Sequence, residues 1–223
     1  MWLSKSSSRR YLHVTLHSAV TTEIHLLDAW NPAATAQLVF PRTQSVEYWV
    51  EDRDDDLFVL TNEKAVNFRL MKTSIKAPNK SNWQTVVEHA LDATLTHFQV
   101  FENFIAVAER RDGLPGVFYI AGESTEIHRI NKPPQTQELH IGENREFSTS
   151  RCRLNGNSLD MPLSQYDCDM NSGLCTLVKT KPVGGRYEPS DYATEQYKVK
   201  SHDGTDVPPV SYTHLTLPTI LLV

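Results

Sequence analysis

Apolar and polar side chains alternate in short runs along most of the chain. Tyr11–Leu16, Glu23–Leu27, Val46–Val50, Leu57–Thr61, Phe68–Met71, Phe104–Ala108 and Gly116–Ile120 are rich in β-branched and aromatic residues. Short runs of this composition, bounded by turn residues, are the signal of strands. Turn-forming clusters break the pattern at Asn31-Pro32, Asp54-Asp55-Asp56, Asn62-Glu63-Lys64, Asp112-Gly113 and Lys132-Pro133-Pro134. The one helical candidate, Trp83–Leu91, is short. The runs gather into units of roughly 40 to 50 residues, the blade period of a β-propeller. Four units can be marked: Met1 to about Phe40, Val46 to about Ala90, Thr96 to about Ile141, and Arg145 to about Thr180. The pattern predicts an all-β repeat fold of about four units. Each blade would be a four-stranded antiparallel meander that cannot bury both of its faces without neighbours. A β-sandwich is the competing arrangement.

Charge and composition narrow the function classes. The 223 residues carry a net charge of −5, with 22 Lys and Arg scattered rather than clustered. That distribution argues against a nucleic-acid footprint. No stretch approaches the ~20 apolar residues that span a bilayer, and Met1-Trp-Leu-Ser-Lys5 lacks the apolar core of a signal peptide, so the expected compartment is the cytosol. The three cysteines, Cys152, Cys168 and Cys175, have no Cys-x-x-Cys spacing and indicate neither a disulfide scaffold nor a zinc site. If Asp167–Asp169 and Leu174–Thr176 flank a turn, Cys168 and Cys175 face each other with Cα atoms about 4.5 to 5.5 Å apart, close enough to bridge. In a reducing cytosol the expectation is free thiols.

Candidate chemistry is sparse. A serine hydrolase of the α/β type needs Gly-x-Ser-x-Gly at a strand-to-helix turn, then Asp or Glu, then His. The nearest string, Asn155-Gly-Asn-Ser158-Leu, lacks the second glycine and sits in a strand setting. Asp52-Arg-Asp54-Asp-Asp56 with Glu63 imitates a calcium loop, but Leu57 stands where that loop needs glycine, and strands flank it. His13, His17, His25 and Glu23 lie too far apart along strands to share a metal. No catalytic residue, no cofactor-binding residue and no metal ligand is therefore assigned. Trp49, Phe58, Phe68, Phe104, Phe118 and Tyr119 read as packing between blades. The carboxylates from Glu51 to Asp56 would favour basic peptides only if they faced a central tunnel.

The run from Tyr187 to Pro208 gives these elements a context. Tyr197, Val199 and Ser201 alternate with Lys198, Lys200 and His202, and Asp203-Gly204 reads as a two-residue hairpin turn. The whole string resembles the junction in oligopeptidase B-type members of the prolyl oligopeptidase family, where the chain leaves a β-propeller and enters an α/β-hydrolase domain. Ser4–Tyr11, Glu23–Pro32, Val46-Glu-Tyr48, Leu57–Asn62, Asn67–Leu70, Arg110–Pro115 and Gln165–Asp169 resemble that family in the same order. Two places depart from its pattern. Arg9 stands where a glycine is usual, which requires either a positive φ or a different turn. Arg153–Pro162 replaces an aromatic-rich strand with Gly156 and asparagines, implying looser packing of the last blade.

The resemblance implies a partial β-propeller of about four blades and three segments: propeller blades over 1–186, a linker and first hydrolase strand over 187–209, and 210–223. Val210–Thr219 reads as the translation of a sequencing-library adapter, so Ser211, His214 and the apolar Ile220–Val223 are given no role. It also implies a cytosolic serine-type endopeptidase whose propeller admits short peptides and whose hydrolase domain, in cis and beyond Pro208, cleaves after Arg or Lys. The implied partners are short basic peptides, with neither nucleic acid nor membrane. The chain alone is expected to be inactive. The alternative is a stand-alone propeller acting as a binding scaffold.

Overall fold

A computed structural model describes residues 1–31, 33–131, 137–188, 191–196, 198–207 and 210–214. The alternating runs form four four-stranded sheets, each a meander whose strands follow chain order from one edge to the other. The first holds β1 (Trp2–Lys5), β2 (Tyr11–His17), β3 (Thr22–Asp28) and β4 (Gln37–Leu38). The second holds β5 (Tyr48–Arg53), β6 (Asp56–Thr61), β7 (Arg69–Ser74) and β8 (Gln84–Val87). The third holds β9 (Ala93–Val100), β10 (Phe104–Arg111), β11 (Leu114–Ala121) and β12 (His128–Arg129). The fourth holds β13 (Glu138–Ile141), β14 (Arg151–Asn157), β15 (Ser164–Asp169) and β16 (Cys175–Thr180). Beyond them, β17 (Tyr192–Gln196) pairs with β20 (Val210–His214), and β18 (Val199–Lys200) pairs with β19 (Asp206–Val207).

The sheets stack face to face through three apolar seams. Ile24 and Leu26 of the first sheet meet Val50, Leu57, Val59 and Met71 of the second. On the other face of β6, Phe58 and Leu60 join Phe98, Ile105, Val107 and Phe118 of the third sheet. β10 divides in the same way, sending Phe104, Ala106 and Ala108 against Leu139, Leu154 and Cys168 of the fourth. Burial on both faces explains why β6 and β10 read as unbroken apolar runs rather than as alternation. Each fully buried Leu, Ile or Phe contributes roughly 1.5 to 3 kcal/mol of transfer free energy.

The antiparallel order sorts the turns into two rims. The first rim carries the turns between first and second and between third and fourth strands of each sheet. The second carries the remaining turns, the crossings between sheets, and the exit from β16. Hydrogen bonds within each rim bear this out. At the first, Arg10 Nη1 donates to the Asp54 carbonyl and Glu102 N to the Phe147 carbonyl; at the second, Asn67 Nδ2 donates to the carbonyls of Ala90 and Leu91.

Several expectations are revised. Trp83–Leu91 is no helix: a single 3₁₀ turn at Lys80–Asn82 leads into β8, where Val87 pairs with Leu70. The third and fourth units divide earlier than the spacing implied. β13 belongs to the fourth sheet because Leu139 pairs with Gly156 and packs with Leu154. Within the stretch expected to pack loosely, Leu154 is fully buried and Leu159 is exposed. Arg9 does take a positive φ, of 64°. Asp203-Gly204 sits in a longer loop than two residues: Lys200 pairs with Asp206, Ser201 N donates to the Thr205 carbonyl, and Gly204 takes φ 83°. The expected turn at Lys132-Pro133-Pro134, Pro32 of the Asn31-Pro32 turn, Tyr197, Pro208 and Ile220–Val223 lie outside the described residues.

Cys168 and Cys175, expected as free thiols, form a disulfide across β15 and β16, with Cα atoms 4.0 Å apart. The hairpin register sets them opposite each other, and Asp169 with Leu174 closes the turn side of the ladder. On the other flank of Cys168 lies Cys152, free and buried, with its thiol pushed up to about 12 by burial.

Asp112 and Gly113 form the two-residue turn predicted for them, with φ of 50° and 78°, between Arg111 and Leu114, which pair in register. Gly113→Ala is expected to lower unfolding free energy by about 1 kcal/mol, because a Cβ at positive φ is strained. A urea titration followed by tryptophan fluorescence measures this, and an unchanged midpoint would contradict the turn geometry.

Candidate functional site

The first strands of the sheets converge, β5 touching β9 and β9 touching β13, so they form the inner wall of the arc. At the first-rim end of this wall the turn Ser6–Arg10 folds across the neighbouring sheet. Ser7 N donates to Glu51 Oε2 at 2.8 Å, and Ser8 Oγ donates to Asp52 Oδ2 at 2.6 Å. Three serines in a row suit this turn, because short hydroxyl side chains bond neighbouring backbone: Ser8 Oγ accepts from Arg10 N and Ser6 Oγ from Tyr11 N. Arg9 Nη2 then reaches the Arg145 carbonyl of the fourth sheet at 3.0 Å.

This junction carries the strongest electrostatic perturbations outside the apolar seams. Burial raises Glu51 to about 7, with Ser7 opposing the shift and the Asp52 charge adding to it. Burial lowers His13 to about 4 against the attraction of Asp52. His13 Nε2 and Asp52 Oδ1 are both buried without a hydrogen-bond partner among the described residues. The two shifted groups act in opposite directions with pH.

The sequence candidates separate in space. Asp52 is buried between the first two sheets, Asp55 pairs with Lys76 at 2.7 Å, Asp56 with Lys72 at 2.9 Å, and Glu63 with Lys80 at 3.1 Å. The acidic run is thus a hairpin whose charges are largely spoken for. His25 pairs with Glu23 at 3.0 Å, His17 bonds the Ser18 carbonyl at 3.1 Å, and His13 lies apart in the interior. Among the described residues no three His, Cys, Asp or Glu side chains come together as a metal site. Ser158 donates to Asp160 at 2.5 Å, with no histidine in the pair. Phe58, Phe104, Phe118 and Tyr119 are buried in the seams as expected, whereas Trp49 is 44% exposed on the inner strand and leans on Phe68 with ring centroids 5.7 Å apart.

Sequence reasoning missed the polar bridges between sheets. Arg53 is buried yet donates to the Gly122 carbonyl and to Glu123. No periodicity signals such a pair, because its partners are some seventy positions apart.

The chain leaves β16 at the second rim and touches that rim again at several later residues. Lys181 N donates to the Leu163 carbonyl, the Tyr187 hydroxyl bonds the Asp160 carbonyl, and Lys198 and Asp206 line an open cleft with Asn67, Asp92, Arg110 and Asp112. Residues 1–181 match the family model for the prolyl oligopeptidase N-terminal beta-propeller domain. The chain belongs to the prolyl oligopeptidase family. It is similar to Protease 2 of Moraxella lacunata, 27% identical over 208 residues, which cover 93% of this chain and 30% of that protein. Among solved structures, oligopeptidase B from Leishmania major superposes with a TM-score of 0.86 at 28% identity, covering 96% of this chain and 31% of that one. Oligopeptidase B from Trypanosoma brucei gives 0.84 at 28%, covering 98% and 32%. The chain therefore spans under a third of the relatives it matches. No helix among the described residues is long and apolar enough to cross a membrane.

Because Glu51 holds its proton more tightly in the folded chain, its contribution to stability falls as pH rises from about 4.5 to about 7. His13 contributes the reverse slope, losing stability as pH falls from 6.5 to about 4. Glu51→Gln keeps the acceptor for Ser7 and removes the charge. Its expected effect is a gain of about 1 to 2 kcal/mol near pH 8, discounted for partial exposure, and little change near pH 4.5. Urea midpoints at the two pH values measure it, and an equal shift at both would rule out the titration.

Proposed function

We propose that the chain is the substrate-admitting propeller portion of a cytosolic serine oligopeptidase. The ring restricts entry to short peptides, and a hydrolase domain in the same polypeptide cleaves them after Arg or Lys. Residues 1–186 are the blades, 187–209 the linker and first hydrolase strand, and 210–223 a segment without functional assignment. The observation that carries this reading is directional. The chain crosses from the last sheet onto the second rim, so a domain following in cis covers that rim and faces the inner wall. Similarity to oligopeptidase B structures across nearly the whole chain supports the same placement. Since Asp55 and Asp56 are paired with lysines, preference for basic side chains falls to the hydrolase domain rather than to this hairpin.

No residue of this chain is assigned to the chemical step. The purified chain is expected to release no coumarin from an arginyl coumarinylamide substrate. Sequencing the locus past the codon for Pro208 is expected to read into a domain with Gly-x-Ser-x-Gly. In that intact enzyme, reversing the charges of Asp54 to Asp56 should leave kcat/KM for arginyl substrates within about two-fold, since two of the three, Asp55 and Asp56, are already paired at the surface. A stop codon at the locus, or activity in the chain itself, would defeat the proposal.

A further inference from the structure

The three cysteines of the chain form a row across the fourth sheet. Cys152 of β14 stands opposite Cys168 of β15, and Cys168 stands opposite Cys175 of β16. Residues directly opposite in an antiparallel ladder share a face. Here that face is the seam with the third sheet, where Cys152 and Cys168 are fully buried and Cys175 is partly buried. The bridge joins the second and third members of the row, and the first keeps a free thiol. Opposed Cα atoms in such a ladder are about 4.5 or 5.5 Å apart, and both separations lie within the span of a disulfide. The positions of Cys152 and Cys168 therefore suit a bridge as well as those of Cys168 and Cys175.

The order of the row sets the chemistry open to it. Exchange proceeds when a thiolate attacks one sulfur of a disulfide and the other sulfur leaves. Cys152 and Cys175 flank Cys168 on opposite sides, so attack from Cys152 on Cys168 Sγ drives Cys175 out along the row. Burial slows this step, because it pushes the Cys152 thiol up to about 12. At pH 8.5 that leaves roughly 1,600-fold less thiolate than an ordinary thiol has. The more basic sulfur is roughly forty-fold more nucleophilic, so the net handicap is also roughly forty-fold. Well-placed neighbours react with effective molarities of about 10⁵ M or more, which outweighs that handicap against any dissolved thiol. Asn144 Nδ2 lies 4.0 Å from Cys152 Sγ and presents an amide donor to charge developing there. The same burial shields Cys152 from dissolved reagents, so the adjacent bridge is the electrophile within its reach.

We infer that the row is a thiol–disulfide relay that unmasks Cys175 as a modification site. The Cys152 thiolate attacks Cys168 Sγ, the Cys152–Cys168 bond forms as the Cys168–Cys175 bond breaks, and Cys175 leaves as a thiolate that takes up the proton Cys152 lost. One thiol and one disulfide stand on each side, so the step needs neither oxidant nor reductant. The product buries its bridge between β14 and β15 and leaves a thiol on the edge strand β16, partly open to solvent, where a small disulfide or an alkylating reagent reaches it. The relay is a property of this sheet alone and stands whether or not the proposed peptidase reading does.

Alkylation of the oxidised full chain under native conditions tests it, with iodoacetamide at pH 8.5 and no reductant, read by peptide mass mapping without reduction. The expected product carries the label on Cys175 together with a Cys152–Cys168 disulfide, and its rate of formation is unchanged by ten-fold dilution of the chain. Cys152→Ser is expected to slow labelling of Cys175 at least ten-fold. In Cys175→Ser, oxidised glutathione is expected to join Cys152 to Cys168. Label on Cys152 beside an intact Cys168–Cys175 bridge, label on Cys168, or no label at all would overturn the relay. So would a rate that falls on dilution, labelling of Cys175 indifferent to Cys152→Ser, or two thiols left free in Cys175→Ser.

Discussion

The structure depends on two-sided burial of its middle sheets. β6 sends Leu57 and Val59 one way and Phe58 and Leu60 the other, and β10 repeats the division. Such a sheet has no wet face, so it is stable only between two neighbours, and each seam exists because the next sheet supplies half of it. Once the faces are committed to packing, polar chemistry is confined to the rims and the inner edges. The hydrogen-bonded turns, perturbed carboxylates and buried arginine all lie there.

The two rims differ in what they do. At the first, polar side chains tie one sheet to the next: Ser7 to Glu51, Arg53 to Glu123, and Ser148 to Glu102. These bonds set how far the sheets fan apart once the apolar seams have brought them together. At the second rim the links run to the departing chain through Lys181 and Tyr187. One end of the stack is therefore closed by its own turns and the other is presented to whatever follows in the polypeptide.

What was legible in the sequence was whatever a local pattern encodes. Strand positions such as Tyr11–Leu16 and Leu57–Thr61, the Asp112-Gly113 turn and the facing positions of Cys168 and Cys175 follow from period and turn chemistry within a dozen residues. The division between the third and fourth sheets was not, because the polar stretch after Ala121 hides a crossing that only the packing of Leu139 on Leu154 reveals. Trp83–Leu91 misled because its short apolar spacing suits either period, and pairing with β7 decides it. The Arg53, Lys72 and Glu123 bridge was invisible, since contacts between sheets depend on stacking register, which no single strand carries. The bond between Cys168 and Cys175 was not legible for a different reason: hairpin register sets their distance, whereas their oxidation state depends on the redox compartment.

The position of that sulfur bridge governs how the last sheet responds to tension. Pull transmitted along the exit segment arrives at Thr180, the far end of β16, and unzips the strand toward Cys175. There the covalent tie passes the load straight to Cys168 of β15, because the sulfurs join the two strands beside their turn. The turn Met170–Leu174 is thereby kept out of the load path, so tension that has peeled the edge strand cannot pull that turn straight.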